Sequence, residues 1–169
     1  MVQNKNVRTA TESYVDSKTG AAGGFPNSFA DVYLGSGDGS TGRQTIGASF
    51  TTVNLDQKNF DPSNLFDVSS HEYNVPADGV YMISARIRIV DGQNTGQKNL
   101  GIGVHTSNTD HVSFTWIIQT VTGSESNRKT YSYQRMGKFN ANEKLRLYTY
   151  CEGGDQSINN ASLSIVRVA

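Results

Sequence analysis

The sequence predicts an all-β fold, an antiparallel jelly-roll sandwich of about eight to ten strands. The longest alternating segment spans residues 79–90, where every second residue from Tyr81 to Ile89 is apolar. That period of two is typical of a strand with one face in a core. Shorter alternating segments recur along the chain, and turns rich in glycine, asparagine and aspartate separate them. No internal segment shows a convincing helical period, so packed sheets are expected to form the core.

Length and charge narrow the classes of protein to which the chain can belong. Its 169 residues suit one domain. Fifteen Lys and Arg residues balance 15 Asp and Glu residues without a basic stripe, so nucleic acid is not an expected partner. No apolar segment reaches about 18 residues, and no membrane insertion is expected. Cys151 is the only cysteine, which excludes an internal disulfide and suits a small core residue.

Residues 1–24 show no strand pattern and are predicted to form an N-terminal linker or neck. Thr9 and Glu12 have the spacing of a capping box, so a short helix could span residues 10–18. This part either joins the domain to a longer fibre or is a frayed terminus. Residues 25–169 are predicted to form the jelly-roll head domain.

The predicted strands of the head follow one another with short connections. In chain order they span residues 29–34, 46–54, 73–75, 79–90, 100–105, 111–121, 130–139, 145–151 and 161–168. The glycine-rich segment 35–42 lacks the Lys-Ser/Thr ending of a phosphate-binding loop and is expected at the surface. Residues 60–64 and 140–143 are predicted turns.

Two of these strands carry apolar residues on both faces. On the central strand, the face opposite the core begins with Met82 and Ser84 and becomes cationic only at Arg86 and Arg88. On the closing strand, 161–168, apolar residues also occupy both faces. A contiguous apolar surface of this kind often marks contact with another protein subunit. An interface is therefore expected on this side of the sandwich.

No catalytic constellation is present, so an enzyme is not expected. The three histidines, of which His71 is the first, have neither the HExxH spacing nor a nearby nucleophile motif. His105 and His111 could meet across a hairpin and form a metal site on a threefold axis, although polar surface positions are favoured. Four loop aspartates could collect calcium but lack EF-hand spacing, so no metal or other cofactor is predicted; they are Asp38, Asp91, Asp110 and Asp155.

Aromatic side chains suggest where a sugar could bind, because an apolar ring can stack on a pyranose. Trp116 lies on the apolar side of its strand and is expected in the core or in an interface. Tyr148 and Tyr150 lie opposite the leucines of strand 145–151 and are the candidate ligand-binding residues, on an exposed or intersubunit surface. Asn160-Ala-Ser162 is a glycosylation sequon, which has no meaning in a virus or a bacterium.

Several segments together resemble one known superfamily. The sequence FDPSN at 60–64, then Tyr73, Pro76 and GVYMISARI at 79–87, is similar to the head domain of the complement-one-q and tumour-necrosis-factor superfamily. The matching features there are an aromatic-Asp-Pro turn, an aromatic strand and a Gly-x-Tyr opening of a long central strand. Closer to the C-terminus, residues 136–150 also resemble that domain.

The resemblance covers about residues 29–169 and ends on the closing strand. Residues 65–72 look like an insertion, and no collagen-like Gly-X-Y tract precedes the domain. The resemblance implies a TNF-like homotrimer of jelly rolls whose central and closing strands face the trimer axis. The interface residues that it implies are Met82, Ser84, Arg86, Val166 and Val168.

The predicted function is that of a non-enzymatic trimeric binding module. Segment 10–20, ATESYVDSKTG, followed by a small β domain looks like the end of a bacteriophage tail or head fibre, which suggests a receptor-binding head that recognises host cell-surface carbohydrate. The expected location is then the virion surface, or the extracellular or cell surface if the protein is not viral. Two alternatives remain open: a structural trimerisation, tip or decoration domain of a fibre, and a protein-ligand-binding complement-like head of a bacterial surface protein.

Overall fold

A computed structural model describes residues 28–35, 44–90, 96–105, 115–121, 128–152 and 156–169. Within these ranges the chain forms twelve strands and no helix. The strands are β1 Phe29–Tyr33, β2 Gln44–Ile46, β3 Thr51–Thr52, β4 Gln57–Phe60, β5 Phe66–Asp67, β6 Glu72–Asn74, β7 Gly79–Val90, β8 Gly96–His105, β9 Thr115–Val121, β10 Arg128–Phe139, β11 Lys144–Glu152 and β12 Gln156–Arg167. The predicted neck, residues 1–24, lies outside the described residues.

The strands form two antiparallel sheets. In the first sheet the order is β10-β7-β12-β1-β4, and β2 pairs with β12. In the second sheet the order is β5-β6-β11-β8-β9, and β3 pairs with β11. Strands that follow one another in the chain often belong to different sheets, as expected of a jelly roll. The all-β antiparallel prediction is confirmed.

The core lies between the two sheets and contains the residues expected from alternation. The inward face of β7 is buried throughout, from Tyr81 to Ile89, and Leu145 and Leu147 of β11 face it from the second sheet. Two buried tyrosines at one end of the core satisfy their hydroxyl groups with backbone carbonyls. Tyr73 donates to Ser28 O at 3.1 Å and Tyr81 donates to Ala77 O at 2.7 Å. Burial raises the pKa of both phenols, so they remain neutral donors.

The predicted strand 46–54 is wrong as one element, because this segment passes from one sheet to the other. Its first part is β2, which pairs with β12 in the first sheet. Its second part, β3, pairs with β11 in the second sheet, where Cys151 N donates to Gly47 O at 2.9 Å. The segment closes one side of the sandwich. β4 and β5 are further short strands that alternation did not predict, whereas β10 and β12 begin earlier than expected.

The FDPSN turn is held by the side chain of Asp61. Its two carboxylate oxygens accept the backbone N–H groups of Leu65 and Phe66 at 2.8 and 2.9 Å, and Oδ2 also pairs with Lys58 Nζ at 2.9 Å. The carboxylate is fully buried. A buried carboxylate is tolerated where hydrogen bonds and an ion pair replace its hydration. The Asp of the motif therefore has a structural role.

Gly79 of the Gly-x-Tyr motif lies where the end of the chain pairs with β7. Val80 N donates to Ala169 O at 2.7 Å, and Val168 N donates to Val80 O at 2.7 Å. A Cβ atom at Gly79 would overlap Ala169 O and the side chain of Arg167. Glycine is needed here for this close approach.

Replacement of Thr149 by valine is expected to stabilise the fold by about 1 kcal/mol, because the Thr149 hydroxyl is fully buried without a hydrogen-bond partner among the described residues. The matched control is Thr51→Val, in the residue opposite Thr149 on β3, whose hydroxyl donates to Ser49 O at 3.1 Å. Urea unfolding followed by circular dichroism would compare the two. A loss of stability in Thr149→Val would contradict the assignment of an unsatisfied hydroxyl.

Candidate functional site

The outer face of the first sheet carries a row of apolar side chains across four strands. The row follows the cross-strand register, in which Met136 of β10 lies opposite Met82 of β7, Met82 opposite Val166 of β12, and Val166 opposite Phe29 of β1. Phe60, at the end of β4, extends the row because its ring lies 5.5 Å from that of Phe29. Phe29, Met82, Met136 and Val166 alternate with core residues along their strands, so they point away from the core. Phe60 lies opposite Asp31 of β1.

Much of this row is accessible. Met136 is 63% exposed, Met82 47% and Phe60 40%, whereas Val166 and Phe29 are half-buried. Val168 just beyond β12 is 47% exposed. Four of the five most exposed large apolar side chains in the described part of the chain therefore belong to this side of the molecule or its edge; the fifth, Val68, belongs to the turn after β5.

A second row of small polar side chains lies next to the apolar row. Ser84 is half-buried and stands between Gln134 of β10 and Ser164 of β12. Ser164 donates to Asp31 Oδ1 at 2.7 Å, and Asn59 donates its amide to Asp31 Oδ2 at 3.1 Å. Small side chains leave this part of the face flat. Asp31 is the carboxylate that β1 contributes to it.

The arginines come next along β7. Arg86 is exposed and makes no hydrogen bond or ion pair with the described residues. Arg88 is half-buried, and its Nε donates to Asn159 Oδ1 at 3.0 Å. Asn160 of the sequon lies opposite Arg88, so a glycan attached there would project over this same sheet. The sheet face is therefore apolar at one end and cationic farther along β7.

The structure brings together most of the predicted interface residues. Met82, Ser84, Arg86 and Val166 share the outer face of the first sheet, and Val168 follows Val166 at its edge. Sequence alternation did not identify three members of the apolar row, which are Phe29, Phe60 and Met136. Each of these three residues lies on the outward side of its strand, but the sequence does not show which strands pair with one another.

The second sheet carries a charged cluster on its outer face. The carboxylate of Glu72, on β6, is almost fully buried; it pairs with Lys144 Nζ at 2.9 Å and also with Arg146 Nη2. Arg146 donates through Nη1 to the hydroxyl of Tyr148 at 3.2 Å. Asp67 ends β5, and the hydroxyl and backbone N–H of Ser69 in the turn that follows lower the pKa of its carboxyl group to about 2. The Glu72 carboxylate therefore pairs with two cations of β11 and joins β6 to β11 on this surface.

The prediction that Tyr148 lies on an exposed surface is wrong, since its side chain is only 2% exposed. It packs between neighbouring strands, opposite Gly103 on one side and Thr52 on the other. Tyr150 is half-buried and stacks on Phe50, with ring centroids 5.1 Å apart. Tyr150 therefore remains the candidate ligand-binding residue of the pair.

Several predicted features lie outside the described residues. They are the loop 36–42, the four aspartates considered for calcium, His111, and the side chains of His105 and Trp116. His71 lies in the turn before β6 with φ of 57°, and its Nδ1 lies 2.9 Å from Leu55 O. Among the residues that the structure describes, no three histidine, cysteine or carboxylate side chains converge as a metal site would require.

One cavity lies where β7 begins and β10 ends. Its volume is about 320 Å³, and Asp78, Val80, Lys138 and Ala169 contribute to its lining. The Asp78 carboxylate accepts the backbone N–H of Ala141 at 2.7 Å, which stabilises the adjacent turn. Within the described ranges, no helix has the length and apolarity needed to cross a membrane.

No protein-family model and no curated protein matches the sequence. Solved structures do match the fold. The globular domain of the zebrafish complement 1qA protein is similar with a TM-score of 0.54 and 12% sequence identity, over 83% of this chain and 97% of that chain. The Eiger TNF of S. frugiperda has a TM-score of 0.49 and 13% identity, over 83% of this chain and 93% of that chain. The fold assignment rests on the first of these: the chain has a jelly-roll fold similar to that of the complement 1qA globular domain.

Proposed function

We propose that this protein is a non-enzymatic binding head that assembles as a homotrimer through the outer face of its first sheet. The apolar row from Met136 to Phe60 supports this assembly, because a folded monomer rarely exposes a contiguous row of large apolar side chains. The flat polar row around Ser84 would permit close approach of neighbouring copies. Covering this face would leave the second sheet at the periphery of the trimer.

The peripheral surface is where we place ligand binding, and cell-surface carbohydrate is the proposed ligand. The stacked pair of Phe50 and Tyr150 offers a half-exposed aromatic surface. Three copies of a weak sugar site on one particle would raise the apparent affinity by avidity. We further propose that the head terminates a bacteriophage fibre, with residues 1–24 as its neck, and lies at the virion surface.

The assembly and the ligand are tested separately. Sedimentation equilibrium of the wild-type protein should give three times the monomer mass of 18.4 kDa at micromolar concentration, and a monomer mass would overturn the proposal. A glycan array should then show retention on cell-surface polysaccharides that falls several-fold in Tyr150→Ala and is kept in Tyr150→Phe, which preserves the ring. A trimer that retains no glycan would instead support the structural tip or decoration domain.

A further inference from the structure

The outer face of the first sheet has two chemically different halves. The half formed by β10 and β7 carries the thioethers of Met136 and Met82 and the guanidinium of Arg86. The half formed by β1 and β4 carries the aromatic pair Phe29–Phe60 and the carboxylate of Asp31. Strand β12 lies between the two halves and contributes mainly small or aliphatic side chains.

The charges of the two halves do not pair with each other within one copy of the described chain. Arg86 and Asp31 are separated by two strand spacings across the sheet and by two residues along it, which places their Cα atoms about 12 Å apart. Arg86 has no partner among the described residues, and the described donors to the Asp31 carboxylate are the neutral groups of Ser164 and Asn59. Another copy could supply each of these charges with an opposite partner.

The apolar groups of the two halves also complement each other. Thioether sulfur makes favourable contacts with aromatic rings, and the methionines and the Phe29–Phe60 pair lie at opposite edges of the same row. In a closed ring, one patch of each subunit contacts a different patch of the next subunit. A face with two complementary halves fits that arrangement.

We propose that the halves pair between neighbouring copies of the trimer, so that Arg86 of one copy forms an ion pair with Asp31 of the next. Met82 and Met136 then lie against the Phe29–Phe60 pair of that neighbour. The inference rests on the proposed function, since it assigns the contacts of the same face. It also names Asp31, Phe29 and Phe60 as determinants of which copies associate.

The test is a charge exchange with the complete chain. Arg86→Asp and Asp31→Arg should each raise the protein concentration at which half of the trimer is dissociated by about tenfold or more. The double variant should return that concentration to the wild-type value. Asp31→Asn, which can still accept hydrogen bonds from Ser164 and Asn59, should show a smaller effect than Asp31→Arg. Thermal unfolding of each variant would show that the subunit still folds.

A mixture of the two single variants adds a second test. In a mixed trimer, each contact between an Arg86→Asp subunit and an Asp31→Arg subunit would pair opposite charges. A ring of three built from two kinds of subunit must, however, contain at least one contact between two subunits of the same kind, and like charges meet there. The mixture should therefore not restore the wild-type trimer, although the double variant does. Full restoration by mixing, or folded variants that all remain trimeric as wild type, would overturn the pairing. A wild-type monomer would instead contradict the proposed function itself.

Discussion

Ser84→Glu is expected to leave the protein monomeric. Ser84 lies half-buried between Gln134 and Ser164 on the face that we propose to be shared by three copies. Three glutamates would then meet in a poorly hydrated space. Two unit charges about 6 Å apart repel by about 3 kcal/mol at an effective dielectric constant of about 20, and a trimer contains three such pairs. The association free energy of an interface of ordinary size would not readily offset a repulsion of that size.

Repulsion between three identical charges does not depend on their sign, whereas an interaction of the new side chain with the nearby Arg86 would. Comparing a negative with a positive substitution therefore distinguishes the two explanations. Ser84→Lys is therefore expected to be monomeric too, whereas Ser84→Ala should remain trimeric. The matched control is Ser49→Glu, at an exposed position between β2 and β3. Sedimentation equilibrium gives the masses. If Ser84→Glu sediments as wild type while Ser49→Glu behaves normally, the trimer axis is not on this face.

Ile83→Ala is expected to lower the free energy of unfolding by about 2–5 kcal/mol, through the lost transfer energy of the removed atoms and the cavity that they leave. Ile83 is fully buried on β7, directly beside Ser84 in the chain but on the opposite face of the sheet. Its cross-strand neighbour on β12 is Ile165, also in the core. The site is central in the first sheet and has little room to collapse.

The measurement needs a background in which assembly does not contribute to stability. Unfolding coupled to trimer dissociation depends on protein concentration, so the change is best measured by urea unfolding in the Ser84→Glu variant. Ile83→Val should cost only about 0.5–1.5 kcal/mol there. Equal, unresolvable effects for alanine and valine would mean that the inward face of β7 does not pack as described.

Much of the architecture followed from local sequence pattern. Alternation over residues 79–90 predicted which side chains of β7 enter the core, and Tyr81, Ile83 and Ile87 are all buried. The same pattern placed Met82, Ser84 and Arg86 together on the other face. The period of a strand is two, so assigning one core residue assigns every other residue of that strand to a face.

Pairing between distant strands was not accessible in this way. Phe29 and Met136 are more than a hundred residues apart in the chain, and they share one row only because β12 and β7 lie between β1 and β10 in a particular register. The same limit explains the error at Tyr148, which lies on the outer face of its strand as alternation predicted but is covered at that one position. Alternation shows that a strand has two different faces, but it does not show which other parts of the molecule cover each face.

Local sequence pattern was therefore enough to predict the all-β class, the inward residues of the long strands and the location of the turns. Three features became visible only in the folded chain: residues 44–52 cross between the sheets, Asp31 and Arg86 lie on one face, and Phe60 extends the apolar row. The alternation of side chains along a strand is a local property, so it can be recognised in any short segment of the sequence. Strand order and register depend on which distant segments bury the most apolar surface together, and that choice is made by the whole chain at once.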